Sequence, residues 1–212
     1  KWVQRFNRPV QVTARPWILF DGNIYYSTKT LYESWMIRAE RLNNGTVVNT
    51  TLEMQALVSK VNKEKGREFT ISVRRLYESL SLDYLYVDSE VKIMPGKNLN
   101  SDKDLGDIDI LLINKKNKQI VCIEAKNFSE SRTVYELIQQ NRKIVTKELS
   151  HVIERDVWCK NNINKFKFYV SEIDDEYSVK TIFLTYHENA YKYFEHELEN
   201  DITFLSAVEI VE

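Results

Sequence analysis

The chain has 212 residues, 43% hydrophobic and 29% charged, with a formal net charge of −1. This is the composition of a globular protein with room for one sizeable core, and the near-neutral charge excludes one that coats nucleic acid by bulk basicity. With no apolar stretch of membrane-span length and no signal-peptide pattern, the expected setting is cytoplasmic, with no membrane partner.

Residues 1–27 look extended and aromatic, with strand-like runs at Val10 to Thr13, Trp17 to Phe20 and Ile24 to Tyr26; the last follows an Asp21-Gly22 turn signal. A helix is predicted from Ser27 or Thr28, as N-cap, to about Leu42, ended by Asn43-Asn44-Gly45. These elements form a small N-terminal β/α appendage, 1–50, ahead of a core, 51–212. The core opens with a helical region over about 51–81, bent or broken at Gly66. Strands are predicted at about 83–94, 107–113 and 119–126, with a polar, turn-rich loop from Pro95 to Asp104. A long helix over about 130–157 follows, then a β-like run from Lys165 to Val170 and a strand from Val179 to Tyr186. A helix over about 188–198 and a strand from Ile202 to Val211 close the chain. The fold class expected is α/β, a central mixed sheet flanked by helices.

The charges inside two of these strands stand out. Gly106-Asp107-Ile108-Asp109-Ile110-Leu111-Leu112-Ile113 and Gln119-Ile120-Val121-Cys122-Ile123-Glu124-Ala125-Lys126 flank a polar pentapeptide and read as a β-hairpin. Their apolar flanks suit central strands covered on both faces, where charge is costly unless it is paired or holds a metal. Alternation puts Asp107 and Asp109 on one face, and Cys122, Glu124 and Lys126 on one face. A two-residue loop at Lys116-Asn117 and a four-residue loop over Lys115 to Lys118 give the same register. That register sets Asp109 opposite Glu124 and Asp107 opposite Lys126. Two opposed carboxylates repel; a divalent cation between them reverses the sign, and hard cations such as Mg²⁺ prefer oxygen ligands.

The run Gly-Asp-Ile-Asp, apolar strand, short turn and Ile-Glu-Ala-Lys resembles the core of the PD-(D/E)XK nuclease superfamily, the restriction-endonuclease-like fold. The specific part of the resemblance covers about 20 residues of this chain. It implies an αβββαβ core and maps Asp109 onto the metal-binding Asp, Glu124 onto the second carboxylate and Lys126 onto the lysine. The Ala125 carbonyl joins the metal ligands, and Asp107 is a substitute for Asp109. A further acid on the preceding helix is expected; Glu68 resembles it best, with Glu64 and Glu78 as rivals. Glu68 reads equally as a dipole-favoured acid at a helix start. Two family features are missing: no proline precedes either aspartate, and Gln139 and Gln140 are followed at four residues by Lys143 and Ile144 rather than by tyrosine.

The resemblance implies an Mg²⁺-dependent endodeoxyribonuclease, with Mn²⁺ substituting. Such a cation lowers the pKa of its water and offsets charge on the phosphate, while Lys126 places or deprotonates that water. DNA is the expected substrate, by analogy with the fold's other members, and RNA the alternative. Gln139, Gln140, Arg142 and Lys143 on the following helix are candidate substrate contacts. The chain begins at Lys1 without a methionine, so a nuclease domain of a longer restriction, repair or antiphage-defence protein is expected. The missing part, or a sensor partner, would supply recognition or a trigger; self-association is left open. The reading from a different class is a catalytically silent nucleic-acid-binding or assembly module of the same fold. Cys122 and Cys159 lack metal-ligand spacing and read as a buried core thiol and an incidental one.

Overall fold

A computed structural model describes residues 17–43, 45, 47, 51–128, 131, 134–188, 191 and 202–211. The run Val10 to Thr13 and most of the helix expected over 188–198 lie outside them. Two compact units divide between Lys65 and Gly66, later than the division at 50/51 drawn from sequence.

In the first unit, strands β1 (Trp17–Phe20) and β2 (Asn23–Tyr26) pair antiparallel. Their two-residue turn has Asp21 and Gly22 both at positive φ, 47° and 69°, the twist that suits a hairpin. Helix α1 (Thr28–Asn43) starts on a reciprocal cap. The Thr30 amide donates to Ser27 Oγ at 3.1 Å, and the Ser27 amide donates to Thr30 Oγ1 at 3.3 Å. Gly45 sits at φ 62°, a backbone region that favours glycine, and a Cβ there would fall 1.9 Å from Asn62 Oδ1, so the Asn62 side chain would have to move aside. Helix α2 (Leu52–Ser79) begins in this unit and runs unbroken through Gly66.

The second unit is built on a five-stranded sheet in the order β3-β4-β5-β6-β7. The strands are β3 (Leu85–Lys92), β4 (Asp107–Asn114), β5 (Gln119–Lys126), β6 (Ser178–Thr185) and β7 (Ile202–Ser206). β3, β4 and β5 pair antiparallel, and β6 and β7 add in parallel. The sheet is therefore mixed, as expected. Helices cover both faces. Phe69 and Val73 of α2 pack with Ile110, Leu112, Ile123, Ala125 and Leu184. On the other face Leu111, Ile113, Ile120 and Cys122 pack with Cys159 and Phe166. Coverage on both faces explains why β4 and β5 read as continuous apolar runs.

The chain between β5 and β6 is largely helical in its described part. Helix α3 (Val134–Lys143) passes through a π-helical turn (Ile144–Glu148) into α4 (Leu149–Asn161). The single helix expected over 130–157 is thus three segments in line.

Two expected strands are corrected. Lys165 to Val170 is not a strand; Ile163–Phe168 forms a 3₁₀ helix. Ile163, Phe166 and Tyr169 recur every third residue and all pack into one cluster, which is the 3₁₀ period. The strand at Ile202 ends at Ser206, and Val208–Val211 is a helical turn, α5. The side-chain half of a capping box starts that turn: Glu209 accepts from both the amide and the hydroxyl of Ser206 at 2.7 Å. Among the described residues no helix is long and apolar enough to cross a membrane.

Ile113 of β4 is fully buried. Ile113→Ala is expected to cost about 2–5 kcal/mol of stability, read as a lower urea midpoint with an unchanged slope; a shift below about 1 kcal/mol would mean that this core collapses around the gap.

Candidate functional site

The β4–β5 hairpin closes with the pair Asn114↔Gln119 around Lys115 to Lys118, and the Asn117 amide donates to Asn114 Oδ1 at 3.0 Å. Its register is the one read from the loop length. The ladder runs back only to Ile110↔Ile123, one step short of Asp109 and Glu124. On its other side β4 pairs with β3 at Ser89↔Ile110 and Val91↔Ile108, and Asp109 is again missed. Its counterpart on β3, Glu90, has φ 54°, a strained backbone costing about 1–2 kcal/mol. Two residues apart on β4, Ile110 and Ile108 belong to core clusters on opposite faces of the sheet. Strict alternation would keep them together, so β4 changes face at Asp109. Asp109 therefore sits where its strand is unpaired on both sides.

The gap is bridged by a side chain. The Ala125 amide donates to Asp109 Oδ2 at 2.7 Å, so a carboxylate stands in for a ladder carbonyl. Glu124 is 8% exposed. Its Oε1 lies 2.7 Å from Lys126 Nζ, and its Oε2 is bonded by Arg155 Nη2. Lys126 Nζ also lies 3.4 Å from Glu148 Oε2, at the end of the π-helical turn. The cluster is thus two acids and a lysine from the hairpin, and an acid and an arginine from the facing helix, with the lysine between Glu124 and Glu148.

Burial pushes the Asp109 carboxyl up to about 7, and the negative charge of Glu124 adds to the shift; the Ala125 amide and Lys126 oppose it. For Lys126 burial pulls downward, but the charge and hydrogen bond of Glu124, with Asp109 and Glu148 behind them, win and raise it. In the chain alone Lys126 is an ammonium.

Neighbouring contacts fix the supports. Thr181 Oγ1 of β6 donates to Asp156 Oδ1 of α4 at 2.7 Å, tying that helix to the sheet beside Arg155. Lys160 Nζ lies 2.9 Å from the other oxygen of Asp156. Gly106, at φ 82°, leaves room for the guanidinium: a Cβ there would come 3.1 Å from Arg155 Nη1.

Comparison of the chain with protein-family models, curated proteins and solved structures finds no match. What the site can do rests on its own residues.

The residues picked from sequence divide into two groups. Asp109, Glu124, Ala125 and Lys126 come together. Asp107 pairs across the sheet with Lys92 of β3, on the side away from Lys126; its charge adds only slightly to the upward shift of Asp109. Glu68 is exposed on α2, whose next residue, Phe69, packs on the sheet face opposite Cys122. Among the described residues no bond links Glu68 to the cluster. On α3, Gln139 and Arg142 are exposed, Gln140 accepts from Ser131 Oγ at 2.9 Å, and Lys143 lies over the Phe128 ring at 5.3 Å.

Arg155 and Glu148 were not anticipated. They lie seven residues apart, two turns of helix and hence one face. They flank the buried stripe Leu149, Val152, Asp156 and Cys159. A charged residue inside an apolar stripe, Asp156, was the available signal that this face meets something polar.

An oxygen-ligand cation fits the donors present. Asp109 and Glu124 are hard, largely buried carboxylates. In a strand the N–H and C=O of one residue point to the same side, so the Ala125 carbonyl faces the gap beside Asp109. Among the described residues no group of three or more His, Cys, Asp or Glu is placed to hold a metal. Two carboxylates, a carbonyl and water suit Mg²⁺, which keeps much of its hydration.

The raised Asp109 pKa sets a pH dependence. The folded protein holds this proton at pH values where the unfolded chain has lost it, so stability falls as pH rises from about 4 to about 7. In chelator, Asp109→Asn is expected to stabilise the protein at pH 8 by about 1–3 kcal/mol and to flatten its urea stability between pH 5 and pH 8. A variant less stable than the parent at pH 8 would show that Asp109 is not held at a cost.

Proposed function

We propose that this chain is a metal-dependent nuclease of the PD-(D/E)XK type, hydrolysing phosphodiester bonds in DNA, with Asp109, Glu124 and Lys126 at its centre. The observation that carries the reading is the convergence of two carboxylates and a lysine where β4 and β5 part. The order of α2, β3, β4, β5, the α3–α4 helix and β6, with β5 and β6 parallel, supports a restriction-endonuclease-like core. A cytoplasmic Mg²⁺ enzyme, with Mn²⁺ substituting, follows from the same reading. So does a place in a longer restriction, repair or defence protein whose remainder or partner supplies the target.

Asp109 and Glu124, with the Ala125 carbonyl, would hold the cation. When bound, it lowers the pKa of a water and offsets charge on the phosphate. The rest falls to the chain. Lys126 Nζ, held between Glu124 and Glu148, offsets charge gathering on the phosphate oxygens and orients the attacking water by hydrogen bonding. The water oxygen bonds to phosphorus as its proton passes to solvent, the P–O bond to the leaving oxygen breaks, and that oxygen takes a proton from solvent. Arg142 and Lys143, exposed just before the π-helical turn, would meet the nucleic-acid backbone in this reading.

One observation favours the second reading, a silent nucleic-acid-binding module: both oxygens of Glu124 already carry a cation of the chain.

Cleavage separates the two. Asp109→Ala, Glu124→Ala and Lys126→Ala are each expected to lower Mg²⁺-dependent cleavage of circular and linear DNA by at least about 100-fold, with circular dichroism unchanged. Cleavage by all three variants at the parent's rate would refute the mechanism, and absence of cleavage by the parent on DNA and RNA alike would favour the binding module.

A further inference from the structure

Glu124 is the most heavily engaged acid of the site, and its two partners differ in kind. Lys126 lies two residues further along β5 and has a second acid, Glu148, 3.4 Å away. Arg155 comes from α4 on a long side chain. Among the described residues Glu124 is its one ion-pair partner. Of the two cations, Arg155 is the one with less to hold it.

Its surroundings offer the guanidinium no second bonded partner among the described residues. The guanidinium lines a crevice with Ile108, Ile123, Glu124 and Val152. It passes the bare backbone of Gly106, where a Cβ would come 3.1 Å from Nη1. Nothing but the carboxylate binds its fork from the site side among the described residues. A guanidinium does not deprotonate, so its positive charge stays wherever it sits. Were it to keep Glu124 Oε2 while a divalent cation took the same carboxylate, two like charges would share one anion at short range.

We propose that Arg155 is the resident counter-ion of Glu124, that a divalent cation displaces it, and that the freed guanidinium then binds a phosphate of the substrate. This rests on the metal-dependent nuclease reading above. Carboxylate and phosphate present the same paired oxygens to the guanidinium fork, so Arg155 exchanges one anion for another of like geometry. The exchange also couples the two ligands: a cation that frees Arg155 improves phosphate binding, and a phosphate that captures Arg155 improves cation binding, by the same factor. Without either ligand, Glu124 stays neutralised.

The test is Mn²⁺ binding, measured from the electron paramagnetic resonance of free Mn²⁺ without nucleic acid, on the parent, Arg155→Gln, Arg155→Lys and Glu124→Gln. Arg155→Gln is expected to bind Mn²⁺ about tenfold more tightly than the parent. Arg155→Lys, whose ammonium reaches less far, should fall between them and serves if the glutamine variant does not fold. In Ca²⁺, a short DNA duplex should bind Arg155→Gln several-fold more weakly, the opposite direction to the metal. Mn²⁺ binding that is unchanged or weaker in the Arg155 variants overturns the proposal and makes Arg155 a support that holds Glu124 for the cation. Should Mn²⁺ binding be indifferent to Glu124→Gln, it is the metal-site reading itself that fails, and the proposal with it.

Discussion

Glu124 lies between two buried neighbours, Ile123 and Ala125, on a strand covered on both faces. An ionised carboxylate there is unfavourable by several kcal/mol unless its charge is met. Much of the surrounding architecture follows from meeting it. Lys126 does so from the same strand, because alternation returns it to the same face. Arg155 does so from a helix, which requires α4 to lie at one height and one rotation against β5. Asp156 and Thr181 fix that placement by a buried hydrogen bond between helix and strand. Removing one member of such a buried set costs more than its contact is worth, because the remaining charge is stranded.

The π-helical turn is explained by the same constraint. The buried residues of the segment run Ile144, Leu149, Val152, Asp156, Cys159. Their steps are three and four within α4, but five across the turn, where the Leu149 amide bonds the Ile144 carbonyl. In an uninterrupted α-helix the residue four after Ile144 would continue the stripe, and that residue is Glu148. The wider turn hands the core position to Leu149 and leaves Glu148 at the stripe's edge, facing Lys126. Such turns are found often at functional sites, and here the local reason is visible: one helix serves a core and a charged cluster on adjoining faces.

How much of this was legible in the sequence follows from the range of each interaction. The hairpin register could be read because a four-residue turn between two strands of period two leaves one pairing that keeps Asn114 against Gln119. The meeting of Asp109, Glu124 and Lys126 came with it, being local along the chain. The departure of β4 from the ladder at Asp109 could not be read, since it depends on the unusual backbone of Glu90 on another strand. Arg155 and Glu148 were missed for a related reason: they reach Glu124 and Lys126 only after the helix has crossed the sheet, at a separation no local pattern encodes. The Lys165 to Val170 segment misled because alternating lysine and aromatic residues mimic period two over so short a run, while the spacing of Ile163, Phe166 and Tyr169 carried the real period. At Ser206 the signal was present, a serine with a glutamate three residues on, but the apolar run around it hid the boundary.

The protonation of Lys126 joins the electrostatics to the chemistry. Two opposed influences act on it, burial and the acids around it, and the acids prevail. Glu124 supplies the largest upward influence, through both its charge and its hydrogen bond. Whatever else neutralises Glu124 and Asp109 weakens that influence and leaves burial in place. Burial then acts on the lysine with less to oppose it. The chain alone therefore holds Lys126 as an ammonium that stabilises its own acids. A lysine exposed to solvent would feel neither influence strongly. The burial that makes Glu124 costly is thus also what makes the state of Lys126 depend on what the site holds.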